Sequence, residues 1–408
     1  MDFNDTAPEA EYRTKAREWL SKNAPSGVPH RRVREQETAD SLVAARAWQA
    51  TKAEAGYACI TWPEEWGGPG GTAIQKVIFE QEESRYPTPG NPFHIGLNFT
   101  IATVLKFGEK AVRERFAWPA MRGDEIWCQL FSEPSGGSDL AAVRTRAIRS
   151  DGDDWLLNGQ KIWTTGAQLA DFGMILCRTN PDVPKHKGLT MFWVDMKSPG
   201  IDIRPIHEMD GSASFNEVFF TDVSIPDSQR LGGIGEGWKL ALYTLMNERL
   251  GSDQSGAGWQ DFIDLARRTP WKDGQSALKN PAIRERLADW YVQLEGLKHT
   301  RNRAITALSR GEMPGPENSI IKLVRANQML DMANTAIEMM GEYGLVDEPG
   351  VDAVAEIIHS SLMWAPGLRI AGGTDEILHN IIAERALGMP GDFRADKDVA
   401  FKDIPSGR

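Results

Sequence analysis

The runs Gly173-Met-Ile-Leu-Cys-Arg178 and Leu189-Thr-Met-Phe-Trp-Val194 decide the fold class, because both are short, apolar and bounded by turn residues. Two neighbouring runs, Ile201-Asp-Ile-Arg204 and Glu217-Val-Phe-Phe220, have the same character. Their clustering between Trp127 and about residue 231 predicts a small β domain in the middle of the chain.

A hairpin is expected inside this β domain. The dipeptide Asn158-Gly159 is typical of a type I′ turn, which needs positive φ at both central residues. It lies between the apolar runs Trp155-Leu-Leu and Lys161-Ile-Trp. We therefore expect these two runs to form the two strands of the hairpin.

The flanking regions have helical periodicity, with apolar residues three and four positions apart. The pattern covers about residues 5–123 and returns in long stretches, at 238–250, 281–309, 317–341, 352–363 and 374–387. Strands are not interleaved with helices, so a parallel doubly wound sheet is not expected. The sequence predicts an α+β multidomain protein with a helical domain (1–124), a β domain (125–231), a helical bundle (232–390) and an extended tail (391–408).

Composition excludes several classes of protein. The 408 residues carry a formal charge of −11, which argues against nucleic acid as a partner, because phosphate binding needs a basic face. No apolar run approaches the roughly 20 residues that span a bilayer, and the N-terminus lacks the layout of a signal peptide. Cys59, Cys128 and Cys177 lie far apart, so neither a disulfide framework nor a metal site is expected. These features predict a cytoplasmic protein without membrane insertion.

Two segments of the β domain could bind a ligand. In Trp127–Leu140 a strand enters a glycine-rich loop, where backbone N–H groups and the Ser138 hydroxyl could hold a phosphate; the alternative is a polar surface turn. In Asn158–Ala167, a tryptophan followed by two threonines could stack on a planar ring and hydrogen-bond its edge. The alternative there is a core tryptophan beside exposed threonines.

Two segments of the bundle are further candidates. In Arg369–Asn380, Gly372-Gly373 permits close backbone approach and Thr374 is a good N-cap, so a helix start there could hold a phosphate or polarise a carbonyl. Glu248-Arg249 ends a helix with an apolar stripe, and a carboxylate at the edge of such a stripe is a candidate base. An ordinary capped helix start and a salt-bridged helix end are the alternatives.

Together and in this order, the segments resemble the acyl-CoA dehydrogenase family. The motifs that carry the resemblance are Ser132-Glu-Pro-x-x-Gly-Ser-Asp139, Asn158-Gly-x-Lys-x-Trp-x-Thr165, Gly235-x-Gly-Trp238 and Gly372-Gly-Thr374. The likeness extends from the Pro63-Glu-Glu-Trp-Gly-Gly68 loop to Ala383–Gly388. It implies an N-terminal α-helical domain, a middle β-barrel-like domain and a C-terminal four-helix bundle.

The resemblance also implies an activity and a set of site residues. Members hold FAD, oxidise an acyl-CoA to the 2,3-enoyl-CoA, and pass electrons to an electron-transferring flavoprotein. Trp163 would flank the isoalloxazine ring, and Gly372 and Gly373 would polarise the thioester carbonyl. Ser138 would meet the FAD pyrophosphate or the pantetheine arm. The other implied FAD contacts are Gln129, Leu130, Phe131, Ser132, Thr164, Thr165, Glu338, Gly341, Thr374 and Glu376.

Three departures from the family pattern are informative. Gly372 stands where many members carry the catalytic glutamate, so the resemblance implies Glu248 as the base, as in isovaleryl-CoA-type members, with Arg249 as a loop or phosphate anchor. The segment Arg267–Gly274 replaces the Arg-x-x-Phe-Gly motif that reaches FAD across a dimer interface, and Glu338 and Glu342 replace a glutamine and a glycine of another FAD motif. The last two changes are similar to those of bacterial relatives that work as heteromers on bulky, steroid or dicarboxylic acyl-CoAs.

Two other functions stay open from the sequence. The chain could be a non-catalytic or half-site partner subunit of a heteromeric dehydrogenase, or a related CoA-thioester flavoenzyme such as an oxidase or desulfinase. The bundle has more apolar residues and methionines than one core needs, and the resemblance implies that such surface is buried in a dimer of dimers. Its assembly is therefore expected to be a homotetramer or a heterotetramer with a related chain. The apolar residues and methionines in question are Met329, Leu330, Met332, Met339, Met340, Met363 and Trp364.

Overall fold

The fold comes from a computed structural model. It describes residues 5–27, 38–150, 152–248, 257–271, 274–310, 312, 315, 318–346 and 352–405, and leaves out the side chains of 246–248, 308 and 318. Along the chain, a helical part is followed by a sheet and then by a second helical part. The predicted order of domains and the fold class are thereby confirmed.

The N-terminal part is helical. Its helices are α1 (Ala7–Asn23), α2 (Ala39–Glu54), α3 (Ala73–Glu83), α4 (Ile101–Phe107) and α5 (Lys110–Arg122). Helix α3 shows how the sequence sets a boundary: the N–H of Gln75 donates to the Thr72 hydroxyl at 3.3 Å, and the N–H of Thr72 donates to the Gln75 side chain at 2.7 Å. This reciprocal pair satisfies two amides that the helix start would otherwise leave without partners.

The middle part is one eight-stranded sheet in the order β6-β7-β3-β2-β4-β5-β8, with β1 paired to β4. The strands are β1 (Trp127–Leu130), β2 (Arg146–Arg149), β3 (Trp155–Lys161), β4 (Phe172–Arg178), β5 (Leu189–Asp195), β6 (Ile201–Ile206), β7 (Phe215–Ile225) and β8 (Arg230–Leu231). Strand β4 is buried along almost its whole length, as its continuous apolar run predicts. Strand β6 lies at an edge, where Pro205, which has no N–H, is tolerated.

The expected Asn158-Gly159 hairpin is wrong. Strand β3 runs through both residues and pairs antiparallel with β7. The register shifts between Leu157 and Gly159, and the φ of Gly159 is 151°. Gly159 therefore lies at an irregular position within a strand. The pairing of β3 with β7 outweighs the local turn preference of the dipeptide.

Replacing Gly159 by alanine should destabilise the protein by about 1–3 kcal/mol, because the backbone conformation disfavours a side chain. A Cβ there would also lie 2.6 Å from the Thr145 hydroxyl and 2.7 Å from its Cα. Urea unfolding followed by far-ultraviolet circular dichroism measures the effect. Gly152→Ala is the matched control, since no atom lies within 4 Å of its added Cβ. Equal stability of the two variants would contradict this explanation.

The C-terminal part is again helical. Its helices are α6 (Gly237–Glu248), α7 (Trp259–Arg268), α8 (Pro281–Ser309), α9 (Asn318–Met340), α10 (Ala353–Ile370) and α11 (Asp375–Ile381). Helix α7 was not expected from the sequence, and α10 continues through Pro366 beyond the expected end. In the part of the chain that the structure describes, no helix is both long and apolar enough to cross a bilayer.

One core cluster is shared by all three parts. Ile101 of α4, Trp127 of β1, and Leu240 of α6 are buried in it. Beside this cluster, the hydroxyls of Thr103 and Thr244 lie 2.8 Å apart, one on α4 and the other on α6. The first helix of the bundle is thereby held against both the sheet and the N-terminal helices.

The tail, which the sequence predicts to be extended, packs against the sheet. Its Phe401–Asp403 segment forms a short 3₁₀ turn. The N–H of Phe401 donates to the carbonyl of Val183 at 2.9 Å, and that of Lys402 donates to the carbonyl of Pro181 at 3.0 Å. The chain end is therefore bound to the loop between β4 and β5.

Candidate functional site

Strand β1 leads into the first predicted ligand segment. Leu130 and Phe131 are buried in the core, whereas Gln129 and Ser132 are partly exposed. The carbonyl of Ser132 accepts the N–H of Ile162 at 2.9 Å. This bond lies next to Trp163, so the first and second predicted segments are neighbours in the fold.

The loop after Ser132 closes on itself. The N–H of Glu133 donates to the carbonyl of Gly136 at 2.9 Å, and the N–H of Gly136 donates back at 3.0 Å. Ser138 is exposed at the far end of this loop. The next residue, Asp139, makes an ion pair with Lys185 at 2.8 Å. The loop thus presents Ser138 at the surface, where a ligand could reach its hydroxyl.

A buried ion pair lies beneath the loop. The ammonium of Lys161, which is fully buried, donates to Glu133 at 2.8 Å and to the carbonyls of Phe131 and Leu176 at 3.0 and 2.8 Å. The same carboxylate accepts the N–H groups of Arg144 and Thr145. Burial would raise the pKa of Glu133, but the lysine and these hydrogen bonds hold it below its usual value.

Sequence reasoning assigned no function to Glu133 or Lys161. The available signal was the strand alternation of β3, in which Trp155, Leu157 and Lys161 are all buried. A lysine at an inward-facing position needs an acidic partner. The pair fixes the base of the loop, so its role is to position the segment that carries Ser132 and Ser138.

Trp163 has a strained backbone and an exposed ring. Its φ is 58°, which is uncommon for any residue other than glycine, and 56% of its surface is exposed. The ring of Phe215 meets it edge-on with 5.8 Å between centroids. Phe215 in turn stacks at 6.3 Å on Trp364 of α10. These three aromatic residues connect the sheet to the bundle, and the backbone of Trp163 presents a large flat face outside the core.

The next residue, Thr164, is held by Asn216. The N–H of each donates to the carbonyl of the other at 3.1 Å, and the amide group of Asn216 donates to the Thr164 carbonyl as well. The Thr164 hydroxyl is buried and has no hydrogen-bond partner within the described ranges. Thr165 is partly exposed. A buried hydroxyl without a partner costs free energy, whereas the hydroxyl of Thr165 is within reach of a ligand.

The Gly372-Gly373 turn after α10 is the third predicted segment. The φ values are 65° and 100°, a conformation that glycine adopts without strain. Lys322 donates to the carbonyl of Gly373 at 2.6 Å. Asp375 accepts from Arg369 at 2.7 Å, and the arginine keeps its pKa low against the opposing effect of burial. The turn is therefore braced from α9 and α10.

Thr374 and Glu376 follow this turn with different exposure. Thr374 is the N-cap of α11, and its hydroxyl accepts the N–H of Ile377 at 3.3 Å. Glu376 is exposed. The capping prediction is thus confirmed for Thr374, and the cap uses one of the two lone pairs of its hydroxyl.

A pocket of 420 Å³ brings together the two segments that depart from the family pattern. Its lining includes Arg268 and Pro270 from the first segment and Met340 and Tyr343 from the second. The guanidinium of Arg268 is paired with Asp352 at 2.5 Å. Glu338 and Gly341 are exposed at this end of α9, and Gly341 has a φ of 59°.

The predicted base lies at the limit of the described residues. Helix α6 ends at Glu248, whose side chain is outside the described part, as is all of Arg249. The helix itself is well anchored, since Leu240 and Ala241 are buried and Thr244 bonds to Thr103. The described contacts therefore hold the part of α6 that precedes Glu248 against the rest of the protein.

Three domain models of one family match successive parts of the chain. They are "Acyl-CoA dehydrogenase, N-terminal domain" at residues 6–124, "middle domain" at 128–223 and "C-terminal domain" at 235–387. A curated relative, "Acyl-CoA dehydrogenase IpdE1" of Mycobacterium tuberculosis, is 36% identical over 93% of this chain and 97% of its own length. The chain belongs to the acyl-CoA dehydrogenase family. It is an oxidoreductase, and the activity that its family supports is acyl-CoA dehydrogenation.

Two more acyl-CoA dehydrogenases show the range of the likeness. "Acyl-CoA dehydrogenase FadE34" of Mycobacterium tuberculosis is 37% identical over 84% of this chain, but the match spans only 46% of that longer protein. The solved structure "Tcur3481-Tcur3483 steroid ACAD" has a TM-score of 0.79 and 27% identity, covering 96% of this chain and 100% of its own. The family resemblance expected from the motifs is confirmed, and the members of this family are flavoproteins.

Proposed function

We propose that this acyl-CoA dehydrogenase binds FAD at Trp163 and removes the α-proton of an acyl-CoA with Glu248. The observation that carries the proposal is the exposed indole of Trp163, with the partly exposed Thr165 two residues farther on. An aromatic face next to a hydrogen-bonding group suits a flat heterocycle with polar edges. Bound FAD supplies the acceptor for the hydride that leaves the β-carbon.

The residues of the β domain fit a flavin. Trp163 offers its indole face, and Thr165, which is partly exposed, offers a hydroxyl near it. Thr164 lies between them and is assigned to the same end of the cofactor. Gln129 and Ser132 are partly exposed and adjoin Trp163 through the Ser132–Ile162 bond. Buried Leu130 and Phe131 support that segment from the core. We assign these residues to the ring end of the cofactor.

The phosphate and ribose groups need donors farther out. Ser138 is exposed on a fixed loop and can donate to a phosphate of FAD or CoA. Thr374 and Glu376 start α11 beside the braced glycine turn, and we assign them to the phosphate and ribose groups. Glu338 and Gly341 are near in sequence to Met340, which lines the 420 Å³ pocket, and we propose that the cofactor of a neighbouring subunit reaches this chain there.

Proton removal needs a base and a site for the negative charge. The α-hydrogen of a thioester is weakly acidic, so charge that develops on the carbonyl oxygen must be stabilised. The backbone N–H groups of Gly372 and Gly373 are suited to this, since their turn is rigid and carries no side chains. We assign the α-proton to the carboxylate of Glu248 on α6 and the anchoring of the adjacent segment to Arg249.

The partner subunit can be inferred from the departures from the family pattern at residues 267–274 and 338–342. Arg268 is already neutralised by Asp352, so it is a poor phosphate ligand for a neighbouring FAD. A related chain that supplies this contact would complete the site, which favours a heterotetramer over a homotetramer. We propose an electron-transferring flavoprotein as the electron acceptor and a cytoplasmic location, consistent with the three free cysteines.

The purified chain, alone or with a co-expressed related chain, should be yellow, and acyl-CoA should bleach its flavin under anaerobic conditions. A panel of linear, branched, dicarboxylic and steroid acyl-CoAs reports the substrate class. Gly372 leaves room near the α-carbon, so we expect bulky acyl groups to bleach faster than short linear ones. A colourless protein that cannot be reconstituted with FAD in either form would contradict the proposal. If the bleached flavin regains its colour in air and oxygen is consumed, the protein would instead be an oxidase.

A further inference from the structure

We propose that residues 396–404 of the C-terminal tail form a strap that positions the Ser138 loop for acyl-CoA binding, with Phe401 and Asp396 as its positioning residues. The role in acyl-CoA binding rests on the proposed function, whereas the effect of the strap on the loop does not. Two separate contacts carry it: an aromatic ring over a buried arginine, and a lysine shared by two carboxylates.

The first contact is made by Phe401. Its ring centroid lies 3.8 Å from the guanidinium carbon of Arg178, and Arg144 approaches the same ring at 5.4 Å. Arg178 is 3% exposed, and a cation over an aromatic face is most stabilising when water is excluded. The tail therefore covers one face of this buried charge.

Arg178 transmits this contact to the loop. Its guanidinium donates to the carbonyls of Ala141 and Val143, just after Ser138, and to the carbonyl of Lys185. Its Nε is buried and has no hydrogen-bond partner among the described residues. The position of the guanidinium thus depends on the ring above it and on the carbonyls of the two loops.

The second contact is made by Lys185. Its ammonium lies 2.8 Å from a carboxylate oxygen of Asp139 and 2.6 Å from one of Asp396. Asp139 directly follows Ser138, and only 12% of the lysine side chain is exposed. The strap is thus connected to both ends of the segment 138–143, through Asp139 at one end and through Arg178 at the other.

If the strap orders this segment, its loss should weaken binding of acyl-CoA more than it slows turnover. We expect Phe401→Ala to raise KM about tenfold, equivalent to about 1.4 kcal/mol, with kcat changed by less than about twofold. Phe401→Trp, which keeps an aromatic face, should restore most of the loss. Asp396→Asn should give a smaller rise in KM, and the difference from wild type should shrink as salt is added.

Phe393→Ala is the matched control, because this ring belongs to the same tail and is 93% exposed. Hydrogen exchange of the intact protein, read by mass spectrometry, gives a measurement that does not depend on activity. Exchange of the amides in 138–143 and 179–188 should be faster in Phe401→Ala and unchanged in Phe393→Ala.

Unchanged exchange in Phe401→Ala, or equal acceleration in both variants, would overturn the strap. Faster exchange with an unchanged KM would overturn its connection to acyl-CoA. If acyl-CoA fails to bleach even the wild-type flavin, the proposed dehydrogenase site and the substrate part of this inference fall together. The exchange comparison then still decides whether the tail orders the loop.

Discussion

Glu248→Gln should lower the rate of flavin reduction by acyl-CoA about 10²–10⁴-fold, the range that a positioned general base contributes. Glutamine has nearly the same shape but cannot accept the α-proton. The variant should therefore keep its fold, its yellow colour and its affinity for acyl-CoA. Anaerobic stopped-flow measurement of bleaching separates this loss from a loss of binding.

The same substitution at Glu285 is the control for Glu248→Gln. Glu285 is exposed on α8 of the same bundle, so its charge can be removed without touching the site. Its rate should equal that of wild type. Bleaching of Glu248→Gln at nearly the wild-type rate would show that the base lies elsewhere or that a partner chain supplies it.

Of the variants considered, Lys161→Met should lower the free energy of unfolding the most, by about 3–5 kcal/mol, because it leaves the buried Glu133 charge without its partner. Two backbone N–H groups would remain on the carboxylate, so the loss is not the full cost of an isolated charge. Urea unfolding of the apoprotein measures the change. Lys187→Met, at an exposed lysine near the same sheet, should leave stability unchanged.

The pH dependence of the stability of Lys161→Met shows whether the unpaired charge of Glu133 causes the loss. In wild type the pKa of Glu133 is lowered, so its contribution to stability is present above the unfolded value of about 4.3 and is lost as the pH falls through the folded pKa. Without Lys161, burial should raise that pKa, and the carboxyl should take up a proton in the folded state. The deficit of Lys161→Met should therefore shrink between pH 7 and pH 5. A deficit that is constant over this range would indicate lost packing instead.

The fold was predictable because its signals are local. The continuous apolar run of β4 and the helical periodicity on either side depend on neighbouring residues alone. The error at Asn158-Gly159 has the opposite origin: the dipeptide has the composition of a turn, but its conformation follows from pairing with β7, about 60 residues away. Helix α7 was missed because it is short and lies after a long polar stretch.

The sequence pointed to candidate site residues, but not to the residues that hold their segments in place. The motifs proposed Ser132, Trp163 and Gly372 as site residues through the chemistry that their neighbours allow. The supports come from distant positions, as with Glu133 and Lys161, which lie 28 residues apart, and Phe401, which covers Arg178. No periodicity connects such pairs, so their identification needs three-dimensional distances.

The hydroxyl pair of Thr103 and Thr244 constrains how relatives of this protein could be recombined. Each hydroxyl also lies within hydrogen-bonding distance of the carbonyl four residues earlier in the chain, at Phe99 and Leu240. The two hydroxyl protons are therefore shared among three contacts. If only one of the two threonines is replaced by an apolar residue, the remaining hydroxyl faces an apolar side chain in a buried place. A chimera that joins α4 of one parent to α6 of another inherits this mismatch wherever the parents differ at either position. The two helices are best exchanged together, although about 130 residues separate them in the chain.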